Sequence, residues 1–524
     1  MAKPNALMGR PWEKSVRKAG FIAICVCFGL AIPLIFLWNS EKIGEQTLTK
    51  VNIGSTEIIG RKLQMTEGDY FTGIKYGDAE RFGDPKLSPL DNPTVATFWP
   101  KDCFGKQNKK GAEDCLYLNL YRCRGVNFET KSDPLPVLVL INVGPNTQNL
   151  DPTLLTRILA CRGMIIATIG YRKGGMGQFN LKNETDYTPP AVKDVELALK
   201  WIKDIIHAFH GDPNKVTVFG AGHGGKVVEF MSKDPRKDPL FQQVIQTQSA
   251  LELPTLFRPI NEFVKENSLM LAQKLNCTSI TSMNNTTETE ADQALRCLRR
   301  VDRKQLHDQL KTLDIRGDDW PLDQSAFYTN GRLIKQRYLP TLLGSCFWNP
   351  KNNKNDTKVL EDSLREVLVD LPDFKEFLYK QEIVEYYVEQ FGGKTGLEQA
   401  MKQIRFDFHT LSGLLLRALE GETTTHYFHS TGFCIENLLF NSNNDHRNVK
   451  AQHFFADAVA SFVHTGDPNP PNNPFWPRFV TNSTATILSM SDKGFVVSRN
   501  PFPLITNFWL CKMAQFTGLN PICG

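Results

Sequence analysis

Residues 215–225 read Lys-Val-Thr-Val-Phe-Gly-Ala-Gly-His-Gly-Gly. Lys215 to Phe219 is β-branched and aromatic and follows the turn signal Asp212-Pro213-Asn214, so it is expected to be a short buried strand. Gly220 to Gly225 then turn sharply, and Lys226 to Met231 begins a helix. Strand, sharp turn and helix are the frame that holds the serine of a G-x-S-x-G nucleophile elbow. Gly220, Gly222 and Gly224 supply that frame, but Gly222 stands at the serine position. Glycine takes the elbow's backbone freely and has no atom with which to attack a carbonyl. His223 is the neighbouring side chain with acid–base capacity. As a nucleophile or base it needs an orienting partner; without one it lines an emptied pocket.

The rest of the chain gives the frame a context. Upstream stands Glu113-Asp114-Cys115-Leu116-Tyr117-Leu118-Asn119, and between the two lie Tyr171-Arg172, Ala198-Leu199-Lys200-Trp201-Ile202 and Gly211-Asp212-Pro213. Downstream come Thr465-Gly466-Asp467-Pro468-Asn469 and Trp476-Pro477. In order and spacing, over about residues 51–480, these resemble the type-B carboxylesterase/cholinesterase family, whose EDCLYLN signature residues 113–119 match at every position. The resemblance implies an α/β-hydrolase fold: a large, mostly parallel central sheet with helices on both faces. It implies no cofactor and no metal.

Ester hydrolysis on such a fold needs a nucleophile, a base, an acid that orients the base, and backbone donors for the oxyanion. Beside the missing nucleophile at Gly222, the oxyanion loop that is HGGG in the family is Asn142-Val143-Gly144-Pro145 here. Proline has no N–H, so one donor is absent. The resemblance places the acid five residues beyond Gly344, at Asn349, and the base just before Ile435, at Gly432 or Phe433. Asp356 and Glu361 are out of register. His426 and His429 are a shifted alternative for the base, on a strand whose alternation would point them to opposite faces; as a zinc pair they lack matching ligands nearby. The loop Phe104 to Asp114 has no tryptophan for the cation–π contact of choline-binding relatives. With four parts altered, the chain is expected not to hydrolyse esters.

Charge and hydropathy point to a membrane. Residues 1–18 carry Lys3, Arg10, Lys14, Arg17 and Lys18 against Glu13, which is most of the chain's net +5. A nucleic-acid binder would need that charge on its folded face. Ala19 to Trp38 is uncharged and apolar, and roughly 20 such residues cross a bilayer; the preceding cations place the N-terminus in the cytosol. The run exceeds a usual signal-peptide core and lacks a small-x-small cleavage site. The expected organisation is a cytosolic tail (1–18), a signal anchor (19–38), a stalk (39–50) and one esterase-like lumenal or extracellular domain (51–524).

Six Asn-x-Ser/Thr triplets suit that compartment: Asn183, Asn276, Asn284, Asn285, Asn355 and Asn482. Of twelve cysteines, Cys25 and Cys27 lie in the apolar run and ten outside it. The resemblance implies Cys103–Cys115 and Cys277–Cys297. Cys123, Cys161, Cys346, Cys434, Cys511 and Cys523 remain, and six cysteines allow 15 connectivities.

The elements that must hold these residues follow from pattern. A strand pair is expected over Val51 to Arg61 and loop over 70–112, which is broken by Gly73, Gly77, Gly83, Pro85 and Pro89. Strands are expected at Leu116 to Tyr121, Pro136 to Val143 and Met164 to Tyr171, the second a continuous apolar run suited to burial on both faces. Helices are expected over Ala191 to His207, across 260–310, across 359–420 and over Gln452 to Thr465, with late strands at His426 to Phe428, Thr486 to Met490 and Gly494 to Val497.

The resemblance narrows to the family's non-catalytic, neuroligin-, neurotactin- and gliotactin-like branch. It implies adhesion or recognition through an extracellular protein partner, with homodimerisation as in other members. The alternatives are an endoplasmic-reticulum accessory protein for a client receptor, and a residual hydrolase that uses His223.

Overall fold

The structure is a computed structural model. It describes residues 48–64, 67–105, 108–124, 133–143, 147–181, 187–234, 239–247, 260–280, 287–312, 328–329, 332–333, 339–347, 425–431, 435–440, 449–470, 475–478, 486–491 and 494–499. The chain divides into two units, 1–49 and 50–524; of the first only Leu48 and Thr49 are described. Ala19 to Trp38, Asn349, Gly432, Gly144, Pro145, the helices expected over 359–420, and the triplets at Asn183, Asn284, Asn285, Asn355 and Asn482 lie outside the described residues. Among the described residues no helix is long and apolar enough to cross a membrane.

The strands in chain order are β1 (Leu48–Ile53), β2 (Thr56–Lys62), β3 (Gly68–Lys75), β4 (Gly77–Ala79), β5 (Pro85–Leu87), β6 (Thr94–Val95), β7 (Tyr117–Cys123), β8 (Leu135–Ile141), β9 (Ile165–Ile169), β10 (Gly211–Ala221), β11 (Gln243–Thr247), β12 (Tyr328–Thr329), β13 (Arg332–Leu333), β14 (Thr341–Phe347), β15 (Thr425–Thr431), β16 (Thr486–Ser491) and β17 (Gly494–Arg499). The main sheet runs β1-β2-β3-β7-β9-β8-β10-β11-β14-β15-β16-β17. From β9 to β16 every neighbouring pair is parallel. Antiparallel pairs occupy the two sides.

Alternation along β8 explains why this sheet is covered twice. Val137, Val139 and Ile141 feed one core, beneath α3 (Pro190–Ile205) and α4 (His223–Lys233). Leu138 and Leu140 feed the other, beneath α1 (Pro152–Ile158), α8 (Ile435–Phe440) and α9 (Val449–Thr465). All seven residues of β8 are buried, as a continuous apolar strand between two helix layers requires. A smaller core joins the short α2 (Gly174–Gln178) to α5 (Ile260–Lys274), α6 (Glu288–Arg300) and α7 (Arg303–Thr312).

Two expectations are corrected. The stretch 70–112 is not all loop: β3 runs through its start, with Phe71 and Ile74 fully buried. A register shift between those two residues accommodates Gly73 at φ +81°, and the Phe98 ring stands where a Cβ on Gly73 would be. That bulge breaks the period-2 alternation, so the strand does not show in the pattern. Secondly, α4 starts at His223 rather than Lys226, because Gly224 and Gly225 form its first turn.

The EDCLYLN stretch is a joint between layers. Glu113 makes a bidentate pair with Arg81, at 2.9 and 2.6 Å, and Arg81 also donates to the carbonyls of Leu298 and Val301 at the end of α6. Cys115 bonds Cys103. Asn119, fully buried, accepts from the N–H of Gly73 at the bulge (2.8 Å) and donates to Gln148 and Thr168. Disulfides Cys103–Cys115 and Cys277–Cys297 are both formed, and a third joins Cys123 at the end of β7 to Cys161 in the turn after α1. The side chain of Cys346, and Cys434, Cys511 and Cys523, lie outside the described residues.

The loop closed by Cys103–Cys115 is clamped to α7. Arg303 stacks on the Phe104 ring at 4.6 Å and donates to the carbonyls of Lys109 and Gly111. His307, buried, sets Nδ1 3.2 Å from the Gly105 carbonyl. Burial pushes the His307 imidazole below its ordinary value, Lys311 and Lys109 push the same way, and the Gly105 carbonyl and Asp308 oppose them. A histidine depressed on folding binds fewer protons folded than unfolded, so stability rises with pH across that window and falls as pH drops through the ordinary histidine range near 6.5. Thermal midpoints at pH 7.5 and 5.5 should therefore lie closer together in His307→Gln than in the parent chain.

Candidate functional site: the elbow at Gly222

β10 carries the chain to the elbow. Its first part is irregular: Asn214 donates to Asp212 Oδ1 at 2.9 Å, and the register against β8 shifts between Gly211 and Val216. From Val216 onward it is a buried central strand. At Gly222 the backbone swings to φ 52°, ψ −122°, and α4 begins at the next residue. The Gly222 N–H donates to the carbonyl of Thr247, the last residue of β11, at 2.9 Å.

The three frame glycines serve different ends. A Cβ on Gly220 would meet the Gly224 carbonyl oxygen at 2.5 Å, and one on Gly224 would meet the Ile141 carbonyl oxygen at 2.3 Å and Asn142 Cβ at 2.9 Å. Both are backbone approaches that no side chain can share. A Cβ on Gly222 would meet nothing nearer than Asn142 Nδ2, at 4.0 Å. Space for a side chain persists at the position that lacks one.

Asn142 borders that space, and His223 follows it in the chain. Asn142, at φ 55° just past β8, donates from Nδ2 to the Ala221 carbonyl at 3.2 Å and accepts from Lys173 Nζ at 2.6 Å. The expected oxyanion loop thus starts with an amide that tethers the elbow to a lysine, while buried Val143 packs into the second core. His223 is buried, with Nδ1 3.1 Å from Tyr171 Oη and Nε2 3.2 Å from Gln178 Nε2. With the amide nitrogen facing it, Nε2 accepts and Nδ1–H donates to Tyr171 Oη. The two ring nitrogens of His223 thus each face a neutral group, a phenol and an amide. Burial pushes the nearby Asp102 carboxyl up, and the Lys173 ammonium opposes that shift.

His426 does not reach this site. On β15 it pairs in register with Leu342 on β14, which pairs with Ile245 on β11 and through it with Phe219, three residues before Gly222. It is buried edge-on to Trp476, with Nε2 3.9 Å from Asp467. The sequence placed Asn142 in the altered oxyanion loop but gave no sign of its partner Lys173 or of Gln178 beside His223.

A parallel sheet in this order, with an elbow at the end of its central strand, defines an α/β-hydrolase-fold protein. The chain belongs to the carboxylesterase family, whose model matches residues 47–355. It is similar to liver carboxylesterase 1 of Oryctolagus cuniculus, 31% identical over 229 residues that cover 42% of this chain and 37% of that protein. It is similar to carboxylesterase 1E of Mus musculus, 33% identical over 262 residues, 45% of this chain and 44% of that one. It also resembles the bile salt-activated lipase of Mus musculus, 30% identical over 217 residues, 38% and 36% of the two chains. The match spans less than half the length of each of these relatives.

Proposed function

We propose that this chain is a carboxylesterase-family pseudoenzyme: a membrane-anchored glycoprotein whose domain no longer turns over esters and serves adhesion or recognition through an extracellular or lumenal protein partner. The observation that carries this reading is the elbow at Gly222, with its geometry kept, its space open and its nucleophile absent. The support is threefold. Asn142, where the family resemblance expects histidine, bridges the Ala221 carbonyl and Lys173. His223 is held between the Tyr171 phenol and the Gln178 amide. The sequence places Asn349 and Gly432 where the family resemblance expects acid and base. The adhesion role rests on the resemblance to the non-catalytic branch. The anchor rests on Ala19 to Trp38 and its basic flank.

The test is direct. Purified ectodomain is expected to show no turnover of p-nitrophenyl acetate or butyrate above buffer and no labelling by a fluorophosphonate. Turnover abolished by His223→Ala would overturn the proposal. Surface biotinylation of the full chain is expected to recover it from the plasma membrane; a wholly endoglycosidase-H-sensitive, unlabelled pool would place its work in the endoplasmic reticulum instead.

A further inference from the structure

One triplet stands in an unusual place. Asn276-Cys277-Thr278 begins where α5 ends, and its middle residue is cross-linked to Cys297 on α6. Asn276 is exposed and sits at φ 54°, the left-handed position that closes a helix. Its N–H donates to the Gln273 carbonyl at 2.9 Å, and the Cys277 N–H donates to the Ala272 carbonyl at 2.8 Å. The Thr278 hydroxyl accepts from the N–H of Ile280 at 3.2 Å. The Asn276 side chain thus faces water, but two backbone N–H groups and the hydroxyl of the triplet are already hydrogen-bonded and its middle residue is cross-linked.

We infer that Asn276 is N-glycosylated only in chains whose Cys277–Cys297 bond has not yet closed, so that sugar and disulfide compete for the same short segment. The inference rests on the lumenal placement of the domain. In the first step Asn276 Nδ2 forms a bond to the anomeric carbon of a lipid-pyrophosphate-linked oligosaccharide, and the lipid pyrophosphate and a proton leave. In the second, the Cys277 and Cys297 thiols give up two electrons and two protons to a disulfide of an oxidoreductase, which leaves as the dithiol. The order matters because the first step needs the asparagine amide and the Thr278 hydroxyl in one active site, with free backbone between them. Once the helix cap and the bond have formed, that backbone is fixed. A sugar added earlier is compatible with the fold, because Asn276 is exposed.

The test uses the full chain made in secretory cells, with Asn276 occupancy read by mass spectrometry on total lysate after enzymatic deglycosylation in heavy-oxygen water. Because transfer precedes folding, occupancy is readable even for a retained variant. Cys297→Ser leaves the triplet intact and is expected to raise occupancy severalfold. A reductant pulse during synthesis should raise it in the parent chain and leave Cys297→Ser unchanged. Glycans at other triplets with Asn276 bare throughout, or occupied equally in parent and variant with or without reductant, would overturn the inference alone. All triplets bare would overturn the lumenal placement, and the inference with it.

Discussion

Gly224→Ala should cost the domain about 3 kcal/mol or more, while Gly222→Ser, two residues away, should cost only about 1–2 kcal/mol. The difference follows from what each new Cβ meets. At Gly224 it meets the Ile141 carbonyl oxygen at 2.3 Å, so β8, which lines both cores, and α4, which covers the first, must move apart. At Gly222 the space is open, and the cost is that of a left-handed backbone at φ 52° carrying a side chain. Denaturant midpoints of the purified ectodomain check the ordering. Equal losses would mean that the frame does not hold the strand–helix junction. Gly222→Ser is also expected to stay unreactive toward a fluorophosphonate, since a hydroxyl alone restores neither a base nor an oxyanion loop.

Asp194→Asn is expected to cost about 3–5 kcal/mol, because it leaves a buried guanidinium without its counter-charge. Asp194 on α3 is fully buried and receives three bonds from Arg172: from its backbone N at 3.0 Å, Nε at 2.8 Å and Nη2 at 2.6 Å. The remaining Nη1 of Arg172 donates to the carbonyls of Glu80 and Gly83. Burial alone would pull the Arg172 guanidinium down, but the Asp194 carboxylate outweighs it and holds Arg172 above its ordinary value. The ion pair therefore ties the segment after β9 to α3 and to the loop that holds Glu80 and Gly83. Arg172→Met with Asp194→Leu should lose less than Asp194→Asn alone, because it leaves no buried charge unpaired. Equilibrium unfolding of the three proteins distinguishes a charge penalty from a packing loss.

Much of the architecture could be read from the amino-acid sequence because burial on both faces leaves a local trace. The apolar run ending in Ile141, the β-branched approach to Gly220 and the helix that stops at Gly466 each appear where expected. The absence of a hydroxyl at position 222 is likewise a fact of sequence. The tertiary structure alone decided how the pieces meet. The bulge at Gly73 hides β3 from any periodicity. Cys123–Cys161 is a pair that only three of the 15 connectivities contain. Glu113 and Asn119 prove to be structural joints. Asn142 reaches the Ala221 carbonyl, 79 residues along the chain. A side chain's face is set by its near neighbours and so is written locally. Which partner it meets across tens of residues depends on how whole layers pack, and no single stretch of chain encodes that.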